Sequence, residues 1–446
     1  MRAAPPAALE ALARRLDPVS SAPVAVAFSG GGDSLALLLA ARSFAERSGR
    51  PLVALHVDHR LQPASATWAD GAERTARRLG ARFVRLDWTG RKPDAGVPAA
   101  ARAARHRLIA EAARRLGAPV VLMGHTLDDQ LENALMRGAG LRVGVLADWS
   151  PSPVWPEGRG VFLCRPLLNL RRADLRRWLQ DQGLSWLDDP ANDDLRHPRA
   201  RARRALAGGV EPPAPAAARP RSWAGLWRAE PWGGVALDRP RLLRADPGEV
   251  LRLLQAAAVC VSGAERLSRP ARAEGLLARL NAAQAFVATL GGARIEVDAD
   301  RVVLEREAGE AARGGLAPMV LRSGAPMVWD GRFEMTAEKP DLMVEALRGR
   351  GAQLDAGDRA VLVGIPAAAR PALPLWRNLD DHSSSPRLAL AIPRAHLQCN
   401  DVRCRALCGE RLAAAGGVVT KEAEIGTNAR MADAGLPSYV EAGSKD

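Results

Sequence analysis

Residues 29–34 read Ser-Gly-Gly-Gly-Asp-Ser, directly after the apolar run Val24-Ala25-Val26-Ala27-Phe28. Backbone N–H groups opened by Gly30, Gly31 and Gly32, together with the hydroxyls of Ser29 and Ser34, form a donor set for an anion, most simply a phosphate. Asp33 within that set repels phosphate unless a divalent cation lies between them, so it implies Mg²⁺. No lysine follows at the spacing of the Gly-x-x-x-x-Gly-Lys-Ser/Thr loop, and the Gly-x-Gly-x-x-Gly register is absent. The plainer alternative is a glycine turn that only joins a strand to a helix.

Three further clusters could act with it. His56-Val57-Asp58-His59-Arg60 ends a second apolar run, where polar residues of a parallel strand face a ligand crevice. His125-Thr126-Leu127-Asp128-Asp129-Gln130-Leu131-Glu132 follows another run and gathers three carboxylates on one helical turn. Such a cluster is either an acidic helix start, which the helix dipole favours, or a site for a cation, Mg²⁺ or an ammonium. Arg102 and Arg105 share a helix face beside His106. Asp188 to Arg204 runs from an acidic turn into a basic helix start, against the dipole preference, as a phosphate-backbone contact would require. His396, Cys399, Cys404 and Cys408 permit a metal reading, but Cys404, Leu407 and Cys408 fit the buried stripe of a helix better.

The elements that must carry these groups alternate. Leu52–Val57, Arg82–Leu86 and Val120–Met123 read as strands, with helical periods over roughly 66–79 and 98–115. The expected fold class is α/β, a doubly wound parallel sheet, followed by a smaller helical middle domain and a mixed α+β C-terminal region. Expected boundaries are 1–210 for the nucleotide-binding domain, 211–222 for a proline- and alanine-rich linker, 223–310 for the middle domain and 311–446 for the C-terminal region. Within the middle domain, Glu249–Cys260 and Ala271–Leu280 are helical by period. Phe286–Leu290, Ala293–Val297 and Arg301–Glu305 form a β-meander with a Gly291-Gly292 turn. Further on, the best readings are a strand over Val328–Met335 and a helix near 402–415.

The 446 residues suffice for two or three domains. The net charge of +13 suggests a polyanionic partner, although only four of the 63 basic residues are lysine, a bias that base composition of the genome also produces. The N-terminal stretch lacks the apolar core of a signal peptide and no run is long enough to span a membrane. Five cysteines without paired spacing suit a reducing, cytoplasmic setting.

Ser29–Ser34 resembles the PP-loop of the ATP pyrophosphatases, which cleave ATP between the α and β phosphates. In order, Ser29–Ser34, His56–Pro63, Ala101–His106, His125–Glu132, Arg165-Pro166-Leu167-Leu168 and Asp189–Arg203 resemble the motifs of the tRNA(Ile)-lysidine synthetase family. That family joins L-lysine to carbon 2 of the first anticodon cytidine in tRNA(Ile) bearing CAU, with ATP giving AMP and pyrophosphate. The resemblance implies ATP and Mg²⁺ as cofactors. It places ATP on Ser29, Gly30, Gly31, Gly32, Asp33 and Ser34, with Asp33 holding Mg²⁺. It implies that Arg105 and His125 assist adenylation, that Asp129 and Glu132 receive lysine, and that Arg171, Arg172, Arg176, Arg199 and Arg203 contact tRNA. Departures stand at Pro98, His106, Asn133, Ala139 and Ala200. A tRNA cytidine thiolase of the same fold would want Cys-x-x-Cys pairs, which Cys164 alone does not supply. A noncatalytic tRNA-binding protein would not need Asp33, His125, Asp129 and Glu132 together.

Overall fold

The computed structural model describes residues 4–188, 194–215, 223–282, 285–309, 315–380, 385–390 and 401–425. The chain divides into two compact units, Met1–Pro220 with Val419–Ile425, and Arg221–Val418 with Gly426–Asp446. The first contains α1 (Pro6–Arg15), β1 (Val24–Ala27), α2 (Gly32–Ser48), β2 (Leu52–Asp58), α3 (Ser65–Arg78), β3 (Arg82–Asp87) and α4 (Val97–Arg115). It continues with β4 (Val120–Leu122), α5 (Leu127–Gly138), β5 (Trp149–Pro151), β6 (Phe162–Cys164), α6 (Arg172–Asp181) and α7 (Pro198–Ala207).

Its sheet has the order β3-β2-β1-β4-β6-β5. The doubly wound parallel sheet is present, with one antiparallel strand, β5, added at the β6 edge. Side chains of one strand alternate between faces, and here both faces are covered. Val24 and Val26 join the core of Leu35, Leu38 and Leu39 from α2, while Ala25 joins Val53, Leu55 and Ile109. That two-sided burial is why these strands read as continuous apolar runs, and each fully buried leucine contributes about 2 kcal/mol. Chain order reverses between β1 and β4, so the loops after these two strands diverge and leave a crevice. Phe28, Ser29 and residues 31–34 line it from one side, and Met123, Gly124, His125 and Asp129 from the other.

Residues 419–425, expected in the C-terminal region, pack into this first unit. Glu422 accepts from both terminal nitrogens of Arg50 at 2.7 and 2.8 Å and from the Asp17 backbone N–H at 2.9 Å. Ile425 packs on the core that contains α1 and α2.

The second unit opens with β7 (Trp227–Ala229), β8 (Val235–Asp238), α8 (Arg239–Leu242), α9 (Pro247–Ser262), α10 (Pro270–Ala282), β9 (Phe286–Leu290), β10 (Ala293–Val297) and β11 (Arg301–Arg306). The meander is as expected, but β7 and β8 extend it to an antiparallel sheet of order β7-β8-β11-β10-β9. The expected helices and meander are both present, and β7 and β8 are the strands the expectation lacked. These strands of three and four residues are too short to show a period. Next come β12 (Met319–Leu321), β13 (Met327–Trp329), β14 (Phe333–Ala337), β15 (Leu342–Ala346), α11 (Ala356–Val363), β16 (Pro374–Asn378), β17 (Arg387–Leu388), β18 (Val402–Ala406) and α12 (Cys408–Ala415).

Two expectations are corrected there. Val328–Met335 is not one strand: β13 and β14 form a hairpin around Asp330-Gly331, whose φ angles of 49° and 64° suit the tight turn that Asp-Gly favours. Residues 402–406 are a strand paired with β14, so Cys404 is not on the helix that starts at Cys408. Exposed Arg403 and Arg405 alternate with the less exposed Val402, Cys404 and Ala406, a period of two that the short segment hid. Cys408 and Leu412 share a core with Leu253 and Leu254 of α9. His396 and Cys399 lie outside the described residues, and the described residues hold no His/Cys/Asp/Glu cluster suited to a metal.

Candidate active site

The crevice of the first unit has a volume of about 480 Å³, with the Ser29–Ser34 loop as its floor. Two hydroxyls brace that loop: Ser34 Oγ donates to Gly31 O at 2.8 Å and lies 3.1 Å from Ser29 Oγ. Gly31 caps α2 with no side-chain capping bond, so the first N–H groups of the helix stay free for an anion.

The three glycines serve different ends. Gly30 has φ +88°, and a Cβ on it would lie 2.7 Å from Leu187 Cδ1. A Cβ on Gly32 would press against the Trp186 ring at 3.3 Å. Gly31 alone meets only ordinary contacts, the nearest Ser29 Oγ at 3.5 Å. The Trp186–Asp188 segment, which the sequence reading did not connect with the loop, is thus seated on it, and Leu187 N–H donates to Gly30 O at 3.0 Å. The available signal was a Trp-Leu pair inside an otherwise polar stretch.

Asp33 Oδ2 accepts from Arg172 Nε at 2.9 Å, while Oδ1 is buried without a partner. Burial, the largest influence, raises its carboxyl above the usual value against the pull of Arg172. One orphaned carboxylate oxygen beside an anion cradle fits Mg²⁺, which takes one or two carboxylates and completes its shell with phosphate oxygens and water.

The acidic turn divides by role. Thr126 and Asp129 form a capping box, with Asp129 Oδ2 accepting the Thr126 backbone N–H at 2.8 Å. Asp128 turns away and accepts the Arg172 backbone N–H at 2.7 Å. Glu132 is fully buried, and its Oε1 accepts from Arg172 Nη1 and Arg203 Nε, both at 3.0 Å. Arg199 reaches Glu132 Oε2 at 3.5 Å and donates to Asn133 Oδ1 at 2.7 Å. The departure at Asn133 therefore supplies an acceptor that holds Arg199.

Asp33, Asp129 and Glu132 come together around a single guanidinium. Arg172 lies 2.9, 3.4 and 3.0 Å from them, with its side chain only 15% exposed. Burial alone would lower its pKa, but these three carboxylates hold it above its ordinary value. This differs from the expected surface contact with tRNA phosphate. Arg199 and Arg203 are half-turned toward the same carboxylates. Arg171 stays exposed beside Asp128, and Arg176 lies over the Trp186 ring with Asp188 at 3.1 Å.

The opposite wall is cationic. Burial, then Arg102 and Arg199, pushes Arg105 down to about 10, leaving it charged at neutral pH. Burial, then Arg165 and Arg105, holds His125 well below its ordinary value, so its ring is neutral. Arg105 Nε and His125 Nδ1 are buried without partners. His56, Asp58 and His59 line the crevice, with Asp58 braced by Arg85 at 2.6 Å. Cys164 ends β6 outside this lining, and burial pushes its thiol up to about 12, unsuited to thiolate chemistry.

Comparison with known proteins shows the family. A PP-loop domain family matches residues 7–209. The tRNA(Ile)-lysidine synthase of Caulobacter vibrioides is 48% identical over 92% of this chain and 97% of its own length. That of Mesorhizobium japonicum is 34% identical over 82% and 86%, respectively. Among solved structures, the U34-tRNA thiolase NcsA of Methanococcus maripaludis covers 46% of this chain and 78% of its own, at 16% identity and a TM-score of 0.35. With a PP-loop domain over residues 7–209 and similarity to the two synthases over most of its length, the chain belongs to the tRNA(Ile)-lysidine synthase family.

Proposed function

We propose that this chain ligates L-lysine to carbon 2 of the wobble cytidine in the CAU anticodon of tRNA(Ile), with ATP converted to AMP and pyrophosphate. The observation that carries the reading is one crevice that combines a phosphate cradle, a cationic wall and Asp129, with buried Glu132 sharing the Arg172 guanidinium. The cytidine carbonyl oxygen attacks the α-phosphorus, pyrophosphate leaves, and the base is adenylated. The lysine ε-amine then attacks carbon 2, and the C–O bond to AMP breaks.

In this reading the free N–H groups at the start of α2, with Ser29 and Ser34, bind the pyrophosphate end of ATP. Mg²⁺ at Asp33, when bound, offsets charge on the phosphates. Charged Arg105 stabilises negative charge on the α-phosphoryl group, and neutral His125 offers a hydrogen bond without adding repulsion among the arginines. Asp129 and Glu132 receive the ammonium, whose three donors suit two carboxylates. The amine must shed its proton before attack, and Asp129, which faces the crevice, is the group positioned to take it. Arg171 and Arg176, with the more exposed edges of Arg199 and Arg203, contact the tRNA backbone. Residues 1–210 act as the catalytic domain, 211–222 as a linker, and 223–310 and 311–446 add tRNA contacts. A cytoplasmic location goes with the free thiols of Cys164, Cys260, Cys404 and Cys408, and no described helix is long and apolar enough to cross a membrane.

The test is incubation with ATP, radiolabelled lysine and tRNA(Ile) bearing CAU. Label on the tRNA supports the reading, and its absence beside a working relative sinks it. For the site, Asp129→Asn keeps an oxygen for the Thr126 cap while removing the charge. It should weaken lysine use yet leave ATP-dependent adenylation of the tRNA largely intact. Loss of both steps would assign Asp129 to metal or phosphate.

A further inference from the structure

Three carboxylates face three guanidiniums at the crevice, Asp33 and Asp129 lining it and Glu132 buried, against Arg172, Arg199 and Arg203. The cluster is balanced, so an arriving ammonium gains no net attraction there and still loses its hydration. Arg172 alone reaches all three acids, using Nε, Nη2 and Nη1 on Asp33, Asp129 and Glu132. Its backbone is pinned by the 2.7 Å bond to Asp128, so its release needs only rotation of one side chain.

We propose that Arg172 is a positioning residue that occupies the lysine site until nucleotide phosphates draw its guanidinium away, so that lysine binds after ATP. This rests on the reading that Asp129 and Glu132 receive the ammonium. The phosphates would settle on the loop beside Asp33, where Arg172 already stands, and a planar guanidinium matches phosphate oxygens as well as it matches a carboxylate. Each phosphate-bound arginine leaves Asp129 and Glu132 one positive charge short, and lysine supplies it. Binding of the two substrates is then coupled, and by linkage lysine strengthens nucleotide binding by the same factor.

Equilibrium dialysis of radiolabelled L-lysine against the full chain tests this, with and without the α,β-methylene analogue of ATP and Mg²⁺. Nucleotide should strengthen lysine binding by about tenfold or more. Arg172→Gln should cut that ratio to about twofold or less, chiefly by raising lysine affinity in the absence of nucleotide. Arg172→Lys serves if the glutamine variant does not fold. Its single ammonium does not span three acids, so the ratio should again fall. Equal lysine affinity with and without nucleotide in the unmodified protein overturns the proposal. So does a melting temperature shifted by either variant with the ratio unchanged, the mark of a merely structural arginine. Lysine binding in no state, tRNA included, overturns it together with the assignment of Asp129 and Glu132 to lysine.

Discussion

Each unit holds a knot of arginines and carboxylates, and the two are finished differently. In the second unit Asp330 is saturated: Oδ2 accepts from Arg306 Nε at 3.0 Å and Arg332 Nε at 2.6 Å, and Oδ1 from Arg306 Nη2 at 3.2 Å. Arg332, its side chain 2% exposed, also donates to Ala372 O at 2.7 Å and lies over Phe333. In the first unit the knot around Arg172 opens on a crevice, where Asp33 Oδ1 and, on the opposite wall, Arg105 Nε and His125 Nδ1 are buried without partners. A closed network fixes a fold, because removing one member strands another charge. An open one retains binding capacity, and stability does not account for it.

The sharpest test of that contrast pairs Asp33→Asn with Asp330→Asn. Asp33→Asn should lower lysine ligation on the order of 10³-fold while the melting temperature holds or rises, because a carboxylate raised by burial is removed. Asp330→Asn should cost about 3–5 kcal/mol in urea unfolding, since Arg306 and Arg332 lose their counter-charge. Equal stability losses in the two variants would erase the distinction.

A second contrast lies inside the loop. Gly30→Ala must hold a left-handed φ, at about 1–2 kcal/mol, and also displace Leu187, so both stability and ATP use should fall. Gly31→Ala should alter stability by less than about 0.5 kcal/mol yet still impair ATP use, because its open side is where a phosphate would approach. Unimpaired ATP use in Gly31→Ala would move the phosphate elsewhere.

Opposite in sign between the two units is the response to pH. Burial, then Arg105 and Arg102, pushes His106 from 6.5 down to about 3. The unfolded chain binds that proton first, so stability of the first unit falls as pH drops below 6.5, by up to about 1.4 kcal/mol per pH unit for one such imidazole. Burial, then Glu296, raises Glu305 in the second unit from 4.5 to about 7. Here the folded state keeps its proton longer, so stability falls as pH rises from 4.5 towards 7 and levels off above. His106→Phe and Glu305→Gln should each flatten one limb of the stability profile, measured by thermal unfolding from pH 4 to about 8. An unchanged limb would remove that group from the account.

Much of the first unit was legible because its signals are local. Strand, glycine turn and helix start sit within residues 24–35, and the acidic helix start at Asp128 and Asp129 lies within a single turn. The β-meander was legible for the same reason, with Gly291-Gly292 between two alternating strands. Less of the second unit was legible. β7, β8 and β13 are too short for a period to emerge, and β18 was read with the helix that follows it.

What the sequence by itself determined is the set of candidate groups: hydroxyls, glycines and a carboxylate after β1, a histidine and acids after β4, and arginines beyond them. What only the tertiary structure decided is how they pair. Arg172 meets Asp33 from 139 residues away, Arg203 meets Glu132 from 71, and Glu422 returns 372 residues to Arg50. Charge pairing has no periodicity along a chain. It depends on which ends the sheet brings together and on how little water remains there to screen them.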